Sequence, residues 1–128
     1  MKTFAQLFES HCRPLEGGKA MSDEAVDEQL GALPHWAREG GVIARTYSFA
    51  NYWETIAFVN TLAYTVHRED HHPQLMVGYN RCKVSFDTHS VGGISENDFI
   101  SAAKCDATYA NRPHTPAAPA STRLSNSA

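Results

Sequence analysis

"NYWETIAFVNTLAYTVHREDHHP", residues 51–73, is the stretch on which the fold turns. Tyr52, Ile56, Val59, Ala63 and Val66 recur every three or four residues, the spacing of an apolar stripe on an α-helix. The spacing predicts the strongest helix of the chain over roughly 50–69. Pro73 closes it, because the residue before a proline is driven out of the α region. Glu69, Asp70, His71 and His72 therefore stand between a helix end and an extended segment, which concentrates carboxylates and imidazoles at one junction.

On either side of this helix the pattern changes to period two. Upstream, "HWAREGGVIARTYSF" (35–49) reads as a hairpin turning at Gly40 and Gly41. In it Val42, Ala44, Thr46 and Ser48 alternate with Ile43, Arg45, Tyr47 and Phe49. Downstream, "LMVGYN" and "RCKVSFDTH" read as a second strand pair, with Cys82, Val84, Phe86 and Thr88 alternating against Arg81, Lys83, Ser85 and Asp87. Each hairpin has a helix on its outer flank. "SDEAVDEQLGALP" (22–34) opens with Ser22 as a cap, carries Asp23 and Glu24 at the positive end, and stops before Pro34. A last helix opens at Ser95, with Asp98 three residues later in a capping-box arrangement, and runs to about Tyr109. The expected class is α+β: a four-stranded antiparallel sheet with helices on one face, in the order α-β-β-α-β-β-α. The other face would need burial or polarity, which points to oligomerisation.

Residues 1–21, broken by Pro14, Gly17 and Gly18, read as a loose lead-in to a domain spanning 22–110. Residues 111–128, rich in Pro, Ala, Ser and Thr, read as a disordered tail. A chain of 128 residues accommodates one domain with a modest core. A net charge of -3 and a pI near 6.1 do not favour nucleic acid as a partner. No apolar run is long enough to span a membrane, and the opening residues do not resemble a secretory signal. Cys12, Cys82 and Cys105 form no CxxC pair, which argues against a disulfide framework and fits a cytoplasmic protein.

Four of the seven histidines, His67, His71, His72 and His89, lie within 67–89. His67 and His71 have the i,i+4 spacing of a helical zinc site, but Arg68 stands where the metalloprotease pattern needs glutamate. Capping of a helix C-terminus accounts for any one of these imidazoles. Two adjacent ones beside Asp70, with another at a strand end, point instead to proton transfer near neutrality. No activated serine or cysteine, phosphate loop or dinucleotide fingerprint accompanies them, so neither metal nor cofactor is expected.

With these spacings the chain resembles the pterin-4a-carbinolamine dehydratase family over roughly 22–109. The resemblance rests on His67, then His71-His72-Pro73, Tyr79, His89 and Asp98, and on the segment "THSVGGISENDF". His67 departs from many relatives, which carry glutamate there. "HCRPLEGG" (11–18) is similar to a Cys- and Gly-containing segment ahead of the first helix in some members. The resemblance implies removal of water from a 4a-hydroxytetrahydropterin to give quinonoid dihydropterin. It implies His71 and His89 as the acid/base pair, His72 as the residue that binds and orients the pterin, and Asp70, Asp87, Thr88 and Ser90 as pocket lining. Tyr79 is expected to pack, Asp98 to serve as the capping acid, and Trp36 to sit in the core, at an interface or beside the pterin. The implied partners are further copies of the chain, as a homodimer or homotetramer, and an aromatic amino acid hydroxylase. A second reading is a silent interaction protein, since relatives of this fold serve as a dimerisation cofactor of a transcription factor or as a RuBisCO assembly factor of carboxysomes.

Overall fold

The structure is a computed structural model and describes residues 1–115. Four strands form one antiparallel sheet in the order β1-β2-β4-β3, from β1 (Ala37–Glu39), β2 (Val42–Ser48), β3 (Gln74–Val77) and β4 (Arg81–Phe86). Each expected hairpin is present. Glu39 pairs with Val42 across the Gly40-Gly41 turn, and Gly40 takes the positive φ of 60° that such a turn requires. The two hairpins join through β2 and β4, in a register that sets Ile43 opposite Phe86 and Tyr47 opposite Cys82. Those four side chains are fully buried under the helices, which matches the alternation in the sequence.

The helices are α1 (Phe4–Glu9), α2 (Asp23–Leu30), α3 (Tyr52–Glu69) and α4 (Glu96–Ala110), with a 3-10 turn at His89–Val91. Ser22, Asn51 and Ser95 cap α2, α3 and α4 by accepting from backbone amides one turn in. Helix α3 buries Thr55, Phe58, Leu62 and Val66, so its core face is rotated from the stripe expected by sequence. Tyr52 is 54% exposed and Ala63 is also on the surface. The helix is apolar on more than one side, and periodicity alone does not say which side meets the sheet.

The lead-in is not loose. Thr3 and Gln6 form a reciprocal capping box that starts α1, and this helix packs on α4 with Leu7 fully buried. Residues 11–13 then cross the α3–α4 junction, where the Cys12 amide donates to Glu69 Oε1 at 2.8 Å. The element order therefore gains an N-terminal helix over the one expected. From residue 116 onward the expected tail lies outside the described residues. Its first part, 111–115, is docked: Thr115 donates through N and Oγ1 to Glu54 Oε2 at 2.9 and 2.8 Å, and the Arg112 guanidinium lies 3.9 Å from the Tyr109 ring centroid. No described helix is long and apolar enough to cross a membrane.

Candidate active site

The junction after α3 is built by an unusual backbone turn. Asp70 is the one described non-glycine residue with positive φ, at φ 51° and ψ 41°. Aspartate tolerates this left-handed conformation better than most residues, because its short polar side chain bonds locally. The Asp70 amide still donates to His67 O at 3.1 Å, and the His71 amide to Val66 O at 3.3 Å. The chain then leaves the helix and Pro73 carries it extended into β3.

This turn separates the neighbouring histidines. His71 swings inward, its side chain 12% exposed, and stacks on Phe86 with the ring planes 9° apart. His72 stays exposed beside His67, with Nε2 3.5 Å from His67 Nδ1. The helix ends before His71, so His67 and His71 do not share a helix face and the zinc-like spacing of the sequence is not realised as a ligand pair. Among the described residues no group of three or more His, Cys, Asp or Glu is placed to hold a metal.

Asp98 receives His71. Its carboxylate is fully buried, with Oδ1 at 2.5 Å from His71 Nε2 and Oδ2 accepting from the Ser95 amide at 2.8 Å and from Thr88 Oγ1 at 2.9 Å. As a carboxylate Asp98 only accepts, so His71 Nε2 donates and the ring is held as the Nε2–H tautomer. Nδ1 is left as the basic nitrogen. Since Thr88 Oγ1 gives its proton to Asp98, the 2.5 Å contact between Thr88 Oγ1 and Ser95 Oγ runs from the Ser95 hydroxyl to Thr88. Asp98 thus combines the expected capping role with a grip on His71 that its local spacing does not reveal. A buried carboxylate facing a histidine 27 positions away is a tertiary pairing.

His89 opens the 3-10 turn after β4 and is exposed, as are Asp87 and Ser90 on either side. Thr88 is 5% exposed and faces Asp98 and Ser95, so it braces the site from behind instead of lining an open pocket. It also bridges Gly93, donating its amide to Gly93 O at 2.7 Å, while Gly92 turns the loop with φ 70°. His71 and His89 are therefore linked through Asp98 and Thr88, with no direct hydrogen bond recorded between them among the described residues. Asp70 is exposed and contributes the turn. An apolar cleft of 380 Å³ opens beside His67 and His72 over Leu62, Val66 and Leu75. Trp36 lies in the core, donates Nε1 to Asp106 at 3.0 Å and packs on Phe86, the ring on which His71 stacks. Tyr79 is 66% exposed and packs at the surface, stacked on Tyr52.

Comparison with known proteins bears on the family and the fold. The sequence profile of the family described as "Pterin 4 alpha carbinolamine dehydratase" matches residues 19–108. A protein of Bdellovibrio bacteriovorus named "Putative pterin-4-alpha-carbinolamine dehydratase" is 48% identical over 116 residues, covering 88% of this chain and 95% of its own. A protein of the same name from Nitrosomonas eutropha is 47% identical, covering 83% and 96%. Among solved structures, a transcriptional coactivator/pterin dehydratase from Brucella melitensis superposes with a TM-score of 0.68 at 29% identity, covering 71% of this chain and 99% of that one. A pterin dehydratase-like protein identified as a RuBisCO assembly factor in the alpha-carboxysome is more distant, at 24% identity and a TM-score of 0.48, with 58% and 86% covered. The profile spans most of the chain and includes every residue of the His71–Asp98 site, and on that ground the chain belongs to the pterin-4-alpha-carbinolamine dehydratase family.

Proposed function

We propose that this protein dehydrates a 4a-hydroxytetrahydropterin to the quinonoid dihydropterin by histidine acid–base catalysis. The observation that carries the reading is the His71–Asp98 pair, set on residues that the family profile covers. Dehydration breaks the C4a–O bond, forms the C4a=N5 bond, takes a proton from N5 and delivers one to the departing hydroxyl. His71, with Nε2–H on a buried carboxylate, is suited to accept the N5 proton at Nδ1, and Asp98 stabilises the imidazolium that results. His89, exposed on its loop, delivers the proton to the 4a oxygen and is recharged from solvent. His72, just before β3, binds and orients the ring, and Asp70, Asp87 and Ser90 stand at the rim. Thr88 acts from behind, through Asp98.

The protein works as a homo-oligomer. Edge strand β3 is exposed along its whole length, with Leu75, Met76 and Val77 on the surface and Tyr79 after them. An uncovered apolar edge is a template for pairing with another copy. Its free cysteines fit the reducing cytoplasm. The test is stopped-flow dehydration of freshly generated 4a-carbinolamine. His71→Ala and His89→Ala should each lower turnover by roughly 10²–10⁴-fold, and His72→Ala should mainly raise KM. Near-normal turnover in both of the first two variants removes the mechanism. A folded wild-type protein that captures RuBisCO subunits and leaves the carbinolamine untouched favours the interaction reading.

A further inference from the structure

The His71–Asp98 pair joins two elements that do not adjoin in sequence: the exit of α3 and the entry of α4. Each is gripped by the same short piece of the N-terminal segment. Glu69, two residues before His71, has a side chain only 9% exposed. It accepts the Cys12 amide on Oε1 at 2.8 Å and the His11 ring at Nδ1 on Oε2 at 3.0 Å, with Lys104 Nζ 3.7 Å away. Asn97, immediately before Asp98, is 5% exposed and meets Arg13 as a strand partner would. Its Nδ2 donates to Arg13 O at 2.7 Å, and the Arg13 amide donates to its Oδ1 at 3.2 Å. Between these grips Cys12 Sγ lies 3.3 Å from Ser101 Oγ and 3.5 Å from Asn97 O. Burial pushes the Cys12 thiol up to about 11, so it stays protonated near neutrality and fills space.

We propose that Glu69 and Asn97 are positioning residues for the dehydration, clamping residues 11–13 across the two helix ends so that His71 and Asp98 stay in register. The inference rests on the functional reading above. Backbone support at the exit is thin, because left-handed Asp70 is followed by a His71 amide held by one 3.3 Å bond. The clip therefore adds, to the direct packing of α3 on α4, a tie between the end of one helix and the start of the other. Burial opposes ionisation of Glu69, but the Cys12 amide, the His11 ring and the Lys104 ammonium outweigh it and hold the carboxyl below its ordinary value. The charged form is the one that grips. The same segment then braces the loop that carries His89: the Met21 amide donates to Ile94 O at 2.8 Å, and Ala20 sits so close to Gly93 that a Cβ there would meet its methyl at 2.9 Å. Catalytic side chains need to be held to a fraction of an ångström, and an ångström of drift costs about 10²-fold in rate.

The test compares the full chain with Glu69→Ala, Glu69→Gln and Asn97→Ala by two readouts. One is the His71 ring N–H signal in proton NMR, identified by its loss in His71→Ala, and its exchange rate with water. The other is the split between kcat and KM. Loss of the clip should speed exchange of that proton by about tenfold or more and lower kcat toward the ~10²-fold limit, with KM changed less. Glu69→Gln, which keeps an acceptor for the Cys12 amide, should fall between. Wild-type exchange and kcat in all folded variants, with only the melting temperature lowered, would reduce the clip to a structural brace and overturn the inference. Should Glu69→Ala not fold, the other two variants carry the same comparison. Absence of the protected N–H signal in the unmutated chain also overturns it. A wild-type chain that shows the signal and its dependence on the clip, but no dehydration, fails the functional reading and leaves the clip standing.

Discussion

Asp98→Asn isolates the role of one buried carboxylate with almost no change of shape. In the wild-type protein both oxygens accept: Oδ1 from His71 Nε2, and Oδ2 from Ser95 N and Thr88 Oγ1. Asparagine offers one oxygen and one NH2 group. If its oxygen serves Ser95 and Thr88, its NH2 faces His71 Nε2, which must then become the acceptor. The ring switches to the Nδ1–H tautomer, and the nitrogen left for substrate is a donor where a base is required. A charge-assisted bond is replaced by a neutral one, a loss of about 1–2 kcal/mol. At this chain length that corresponds to a melting temperature lower by roughly 4–7 °C. Turnover should fall by roughly 10²–10⁴-fold, the full worth of a general base. Asp98→Ala removes every acceptor and should cost about 3–5 kcal/mol, because three buried donors lose their partner. Thermal melts and stopped-flow dehydration on the same samples separate the effects. An Asp98→Asn protein with lower melting temperature but wild-type kcat would show that Asp98 is a helix cap only, and the tautomer reasoning would be refuted.

Leu7→Ala should destabilise the protein by about 2–5 kcal/mol in urea titration, since Leu7 is fully buried on the face of α1 that packs on α4; a change near zero would mean that α1 does not dock. Truncation after Asn111 should lower the melting temperature by several degrees, because it strips Arg112 from Tyr109 and Thr115 from Glu54; an unchanged melt would leave those contacts without weight. Glu69 and Glu96 are both held below their ordinary pKa, Glu96 first by the Lys2 ammonium 2.6 Å away and Glu69 by its clip partners against the cost of burial. Groups shifted in this direction stabilise the fold above the ordinary glutamate pKa of about 4.3, and that contribution is lost as pH falls through their folded values. Melting temperature should therefore be level in this respect above about pH 5 and decline below it, and the decline should be shallower in Glu69→Gln. Exhaustive chelation should leave dehydration and melting unchanged; activity lost on chelation and restored by zinc would return the histidines to a metal role.

The hairpins, the three capped helices and the histidine spacing are legible along the chain because their causes are local. A turn needs Gly40 at positive φ, a helix start needs an acceptor such as Ser22 or Ser95, and a strand under one layer of helices needs alternation. Where the signal is not local, sequence and structure part. The α3 stripe through Tyr52 and Ala63 is as regular as the one through Phe58 and Leu62, and only docking on the sheet selects between them. The lead-in looks loose because its anchors, Glu69 and Asn97, lie more than fifty positions away. Asp98 shows the same division within one residue. Its bond to the Ser95 amide is a short-range rule written three positions apart, whereas its bond to His71 exists only because the left-handed turn at Asp70 aims that ring at the start of α4. Short-range chemistry decides which elements form, and packing between distant elements decides which of the four clustered histidines is handed a buried carboxylate.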